Sequence, residues 1–118
     1  MRKQHKQQAN NMFIINCKNY DEISGEKINK IARIAEKISK KHKIQIAIAP
    51  PHHQLALIKK SKLLVFAQHL DDAKIGSTTG YMVPEIVKKS KINGTLINHS
   101  EHRISSKEII NLVKRLKK

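Results

Sequence analysis

Four short apolar runs of strand length, each followed by a segment with helical character, constrain the fold of this chain most strongly. The runs begin near residues 12, 44, 63 and 94. Continuous apolar strands that alternate with helices are typical of a parallel sheet covered by helices. We therefore predict an α/β fold built from four βα units. Two architectures fit this pattern, a small doubly wound sheet and half of an eight-stranded barrel.

The helical segments carry recognisable start signals. After the first strand, isoleucines recur three to four positions apart from Ile28 to Ile38, and we expect Ser24 to cap this helix. Pro84 is suited to the first position of a later helix. Residues 105–108, Ser-Ser-Lys-Glu, have the spacing of a capping box and predict the start of the last helix.

The charge of the chain is strongly positive. Lys and Arg number 24 against 9 Asp and Glu, which gives a formal net charge of +15. Such a charge raises the non-specific affinity for phosphate polymers. Only 4 of the cations are Arg, however, and aromatic residues make up 3% of the chain, so side chains that read or stack on bases are scarce. We interpret the charge as a solvated face and do not expect nucleic acid as a partner.

Length and composition indicate one domain in the cytoplasm. With 118 residues the chain is long enough for a single core. Its apolar runs are only a few residues long, so neither a membrane helix nor a secretory signal is expected. A single cysteine, Cys17, excludes an internal disulfide and a multi-cysteine zinc site. We predict a basic mobile tail over residues 1–11 and the folded domain over residues 12–118.

Polar side chains follow the predicted strands at their carboxyl ends, where both candidate architectures place their chemistry. The first strand is followed by Asn16 and Lys18, the third by Gln68, and the fourth by residues 98–103. An amide, a lysine, an imidazole and a carboxylate should therefore meet at one rim. A lysine beside a buried strand is costly to desolvate without an anionic partner or ligand, although a solvated lysine fits the pattern equally well.

Four segments of the chain also carry motifs of a known family. Residues 16–18 (Asn-Cys-Lys) resemble the N-x-K of the first strand of triosephosphate isomerases. Residues 98–103 (Asn-His-Ser-Glu-His-Arg) resemble the H-S-E-x-R of the fourth strand, in the form typical of the archaeal branch. Residues 67–69 and 76–80 resemble the end of the third strand and the third loop, which interlocks subunits. The resemblance covers residues 12–118 and implies the first four βα units of a TIM barrel.

The resemblance implies a role for each polar residue at this rim. Lys18 would hold the anionic substrate and stabilise the charge of the enediolate, and Asn16 would donate a hydrogen bond to a substrate oxygen. His99 would be the neutral imidazole that polarises the substrate carbonyl, a feature for which this family is itself the standard example. Glu101 would pair with Lys18.

Two further residues would support this catalytic set through hydrogen bonds, Ser100 and Gln68. The resemblance also implies the reaction, the interconversion of dihydroxyacetone phosphate and glyceraldehyde 3-phosphate in glycolysis and gluconeogenesis. The family uses neither a cofactor nor a metal ion. The expected partners are therefore the triose phosphate and other protein chains, in a homo-oligomer or with a complementing C-terminal half.

A complete barrel of this kind has eight βα units, and four are recognised here. The base glutamate of the sixth strand, the closing loop beside it and the phosphate loops after the seventh and eighth strands have no counterpart in the 118 residues. The missing units could come from a second polypeptide, from a second copy or from a longer gene, and the sequence leaves these open. The alternative function is a basic binding module derived from an isomerase half, which would contact RNA or acidic partners.

Overall fold

A computed structural model, which describes residues 11–58 and 61–118, contains a parallel four-stranded sheet. The strands are β1 (Met12–Asn16), β2 (Gln45–Ala49), β3 (Leu64–Ala67) and β4 (Gly94–Thr95). Their order in the sheet is β1-β2-β3-β4, so each strand pairs with the next one along the chain. A doubly wound sheet would reverse its strand order at a switch point, and this sheet does not. The half-barrel with four βα units is therefore confirmed, whereas the predicted tail lies almost wholly outside the described residues.

Among residues 11–58 and 61–118, three α-helices and two short 3-10 helices follow the strands. The α-helices are α1 (Lys27–His42), α2 (Pro84–Lys89) and α3 (Ser106–Leu116), and the 3-10 helices span Asp21–Ile23 and His52–Leu57. In the part of the chain that the structure describes, none of these helices combines the length and the apolar character that a membrane span needs.

The helix starts agree with the sequence in two cases and disagree in one. Pro84 is the first residue of α2, and the capping box is present, with the Glu108 amide donating to Ser105 Oγ at 3.1 Å. The prediction that Ser24 caps α1 is wrong. Its hydroxyl donates to the Asp21 carbonyl oxygen at 2.8 Å and closes the preceding 3-10 turn, and Glu26 takes the N-cap position. A carbonyl three residues back competed successfully for the hydroxyl that the cap would have used.

Two apolar clusters lie on the side of the sheet that the helices cover. The first packs α1 against the sheet, with the fully buried Ile28 and Ile48 in its interior. The second packs α3 against the end of β3 through Leu112 and Ala67. Cys17 belongs to the first cluster, and burial raises the pKa of its thiol to about 11, so the thiol stays protonated at neutral pH.

The opposite side of the sheet is exposed along its edge strand β1, whereas Ala47 and Ala49 of β2 are buried. Because Ile15 and Cys17 pack on the helix side, strand alternation places Met12 and Ile14 on the other side. These two apolar residues are 37% and 43% exposed. In an eight-stranded barrel, side chains from all the strands fill the space enclosed by this face. Residues 11–58 and 61–118 thus form one wall of such a core.

Arg115 of α3 joins segments that are far apart in the sequence. Its Nε donates to Glu85 Oε2 at 2.9 Å, and its Nη2 contacts the other oxygen of the same carboxylate. Its Nη1 donates to Asp72 Oδ1 at 3.0 Å, and its Nη2 donates to the Ala73 carbonyl oxygen at 2.6 Å. Asn111 donates to Asp72 Oδ2 at 2.9 Å. These bonds fasten the loop between β3 and α2 onto α3.

This network predicts an acid-dependent loss of stability. Hydrogen bonding to Arg115 lowers the pKa of Glu85 from 4.5 to about 2, so the carboxylate stabilises the fold above pH 4.5 and ceases to do so as the pH falls through about 2. We expect Arg115→Met to lower the free energy of unfolding at pH 7 by about 1 kcal/mol, a value reduced by solvent screening because the Glu85 side chain is 42% exposed. The difference from the unchanged chain should shrink between pH 4.5 and about 2.

Urea unfolding followed by circular dichroism at several pH values measures this difference. Lys114→Met is the matched control, because it removes a positive charge from an exposed position next to Arg115 on the same helix. This control should change the free energy of unfolding by no more than about 0.5 kcal/mol. A difference for Arg115→Met that stays constant down to pH 2 would show that Glu85 does not contribute.

Candidate functional site

The carboxyl ends of the strands surround a cavity of about 500 Å³. Residues that follow all four strands line it, so the arrangement predicted at one rim is present. Five of the six predicted site residues lie here: Asn16, Lys18, Gln68, His99 and Glu101. The sixth, Ser100, is exposed on the turn between His99 and Glu101, and its hydrogen-bonding role stays a prediction.

Lys18 is held in an unusual backbone conformation at the edge of this cavity. Its φ of 52° lies in the left-handed region, which non-glycine residues adopt at a cost and which is often found at functional sites. Two bonds hold it there. The Lys18 amide donates to Asn16 Oδ1 at 3.0 Å, and Gln68 Nε2 donates to the Lys18 carbonyl oxygen at 3.0 Å. Asn16 and Gln68 therefore position the lysine through its main chain.

The ammonium group of Lys18 forms an ion pair across the cavity. Lys18 Nζ lies 3.2 Å from Glu101 Oε2, and the two side chains are 38% and 57% exposed. Because both groups remain accessible to water, the pair contributes little to stability. The lysine is thus available to exchange part of its contact with Glu101 for an anionic ligand in the cavity.

The backbone after β4 determines which nitrogen of His99 can donate. The Glu101 amide donates to His99 Nδ1 at 3.0 Å, so Nδ1 is an acceptor and the ring hydrogen is assigned to Nε2. Glu101 Oε1 is farther from the same nitrogen, at 3.6 Å, and we therefore interpret the contact as a neutral ring facing a backbone donor and not as an ion pair. His99 can accordingly donate one hydrogen bond from Nε2 as an uncharged group.

Asn98 stabilises the turn that carries this imidazole. Its φ is 58°, a left-handed conformation that asparagine tolerates better than most residues. Its Oδ1 accepts the Ile104 amide hydrogen at 3.0 Å. The His102 amide also donates to the His99 carbonyl oxygen at 2.8 Å, so the turn is closed at both ends.

Sequence reasoning did not assign four further histidines to the cavity. His52, His53, His69 and His102 all line it. Burial is the main cause of a lowered pKa of His52, and the nearby His69 lowers it further. Across residues 11–58 and 61–118, no three His, Cys, Asp or Glu side chains are grouped so that they could hold a metal ion. The position of His69 directly after Gln68 was the available signal, because that segment follows a strand.

The arrangement can bind an anion and polarise a carbonyl group. Lys18 supplies a positive charge, and His99 Nε2 and the Asn16 side-chain amide supply hydrogen-bond donors. Within the part of the chain that the structure describes, Glu101 is the only carboxylate lining the cavity, and it is paired with Lys18. These residues therefore provide electrostatic stabilisation without an unengaged carboxylate base.

Comparison with known proteins gives a consistent result. The family model described as triosephosphate isomerase matches residues 11–118. The chain is 49% identical to the triosephosphate isomerase of Cenarchaeum symbiosum over 106 residues, which cover 90% of this chain and 48% of that protein. The enzyme of Methanocaldococcus jannaschii is 38% identical over 107 residues, 90% of this chain and 49% of that protein. The chain thus spans about half the length of the curated relatives it matches.

Proposed function

Since this chain belongs to the triosephosphate isomerase family, we propose that it supplies the N-terminal half of an isomerase that interconverts dihydroxyacetone phosphate and glyceraldehyde 3-phosphate. The observation that carries the proposal is the convergence of Lys18, His99 and Asn16 on one cavity, with the ring hydrogen of His99 assigned to Nε2. The orientation of His99 supports the proposal more than the backbone of Lys18 does, because Lys43 and Lys91 adopt the same left-handed conformation away from the cavity.

Each of the three side chains has a place in the proposed reaction. The Lys18 ammonium binds the anionic substrate and stabilises negative charge as it develops on the substrate oxygens. His99 Nε2 and the Asn16 amide donate hydrogen bonds to those oxygens. Glu101 holds Lys18 at the cavity edge, 3.2 Å away, until the substrate competes for the ammonium group.

Proton abstraction requires a base from outside the residues described here. General-base catalysis contributes about 10²–10⁴-fold in rate, and among residues that act as one unit the loss of a single member costs nearly as much as the loss of all of them. We propose that a C-terminal half or a second copy of this chain covers the side of the sheet away from the helices, where Met12 and Ile14 of the edge strand β1 are exposed. Such a partner would bring the remaining groups to the cavity.

Complementation tests this proposal. Residues 1–118 are mixed with the C-terminal half of the Cenarchaeum symbiosum relative, and consumption of glyceraldehyde 3-phosphate is followed in a coupled assay. We expect each half alone to stay near background and the mixture to exceed both by about 10²-fold or more, because base and electrophile then share one site. The control replaces the base glutamate of the C-terminal half by Gln. Full turnover by residues 1–118 alone, or no turnover by halves that demonstrably associate, would refute the proposal.

The second candidate, a binding module for RNA or acidic partners, is favoured by the net charge of +15. Filter binding of single-stranded RNA in 50 mM and 200 mM salt distinguishes the two. Under the isomerase proposal, RNA binding should be weak, should disappear at the higher salt and should not depend on Lys18. Tight binding that survives 200 mM salt, together with failed complementation, would favour the second candidate.

A further inference from the structure

A pair of stacked histidine rings connects two loops at the edge of the cavity. The rings of His69 and His102 have centroids 3.6 Å apart and an angle of 8° between their planes. His69 follows β3 and is only 5% exposed, whereas His102 follows β4 and is exposed. The stack therefore places a side chain from an exposed turn against a buried ring.

His69 is in turn fixed by Asp71. His69 Nε2 lies 3.1 Å from Asp71 Oδ1, and the other oxygen, Oδ2, accepts the Met82 amide hydrogen at 2.7 Å. The Asp71 amide donates to the Met82 carbonyl oxygen at 3.0 Å. An ionised carboxylate can only accept, so the ring hydrogen of His69 is assigned to Nε2. Asp71 thus closes the base of the loop over residues 71–82 and holds His69 at the same time.

His102 is also part of the turn that carries the electrophile. Its amide donates to the His99 carbonyl oxygen at 2.8 Å, and the Glu101 amide between them donates to His99 Nδ1 at 3.0 Å. Any rotation of this turn would move the Glu101 amide away from Nδ1. The orientation of the His99 ring therefore depends on where the backbone of His102 is held.

We infer that His102 is a positioning residue, which acts through its stack on His69 to keep His99 in the Nε2-protonated orientation. The catalytic use of this His99 orientation rests on the proposed function. The contacts that set the orientation are a property of this chain alone. It also connects the loop over residues 71–82 to the reacting group, through Asp71, His69 and His102 in sequence.

Nitrogen-15 NMR of histidine-labelled chain tests the inference without any activity. His99→Gln assigns the His99 signals, which in the unchanged chain should show the single Nε2-protonated form. His102→Ala should give a mixture of both tautomers, whereas His102→Phe should restore the single form because it keeps the aromatic stack. Since His102 is exposed, neither change should unfold the chain. His42→Ala, at an exposed position on α1, is the control.

Two results would overturn the inference. The first is that His102→Ala leaves both the His99 tautomer and the chemical shift of the Glu101 amide as they are in the chain without substitution. The second is that the chain without substitution lacks the Nε2-protonated form of His99. In the complemented enzyme, His102→Ala should lower kcat on the order of tenfold with KM within twofold, and His102→Phe should recover most of the loss. If the NMR result holds but halves that demonstrably associate have no turnover, the proposed function fails and the positioning role of His102 in the chain remains.

Discussion

Lys18→Ala is expected to lower kcat/KM of the complemented enzyme on the order of 10²–10³-fold, the loss typical of removing one group that stabilises an oxyanion. Lys18 Nζ is the cationic group at the cavity that a bound triose phosphate would reach, and its side chain is 38% exposed, so its removal should leave the fold intact. The coupled assay on glyceraldehyde 3-phosphate measures the change at several substrate concentrations.

Lys43 offers a closely matched control for this substitution. Lys43 is also a lysine in the left-handed conformation, with a φ of 53° against 52° for Lys18, but it is exposed, follows α1 and does not line the cavity. Lys43→Ala therefore removes one positive charge, as Lys18→Ala does, and likewise places alanine in a left-handed backbone conformation. Its kcat/KM should stay within about twofold of the unchanged enzyme. Equal losses for both variants would mean that charge or backbone strain, and not the site, explains the effect of Lys18.

Leu112→Ala should lower the free energy of unfolding by about 2–5 kcal/mol, which is a large part of the stability of a chain this small. Leu112 is fully buried in the cluster that joins α3 to the end of β3, so its truncation leaves a cavity between them. Ile110→Ala, two positions earlier on the same helix, is the control because Ile110 is 53% exposed. Urea unfolding of the isolated chain measures both.

The Ile110→Ala control shows whether the loss of stability in Leu112→Ala comes from the buried face of α3. Ile110→Ala should change the free energy of unfolding by no more than about 0.5 kcal/mol, since alanine also favours the helix. Similar losses for the two variants would indicate that α3 packs on the sheet through a different face. A small loss for Leu112→Ala alone would mean that the second cluster contributes little to the stability of the isolated chain.

Local features of this protein were determined by the sequence wherever the interacting groups are close along the chain. The capping box joins Ser105 and Glu108, three residues apart, and both bonds are present. Pro84 begins its helix because its ring suits the first helical position. The four apolar runs became four parallel strands, and the residues after them reached one cavity, since parallel strands end at the same edge.

The prediction for Ser24 failed although it was local. The Ser24 hydroxyl could either cap the following helix or donate to the Asp21 carbonyl oxygen, and it does the second. Among contacts between distant segments, the pair of Lys18 with Glu101 was predicted from the family resemblance, whereas the contacts that follow were not. Pairing of neighbouring strands decided between the barrel half and the doubly wound sheet, and Arg115 met Asp72 across 43 positions. The stack of His69 on His102 likewise requires two loops to approach until the ring centroids are 3.6 Å apart. The sequence by itself determined the strands, the helices and the residue types at the rim, whereas the tertiary structure alone decided these contacts, because their geometry depends on how the strands associate and not on any local preference.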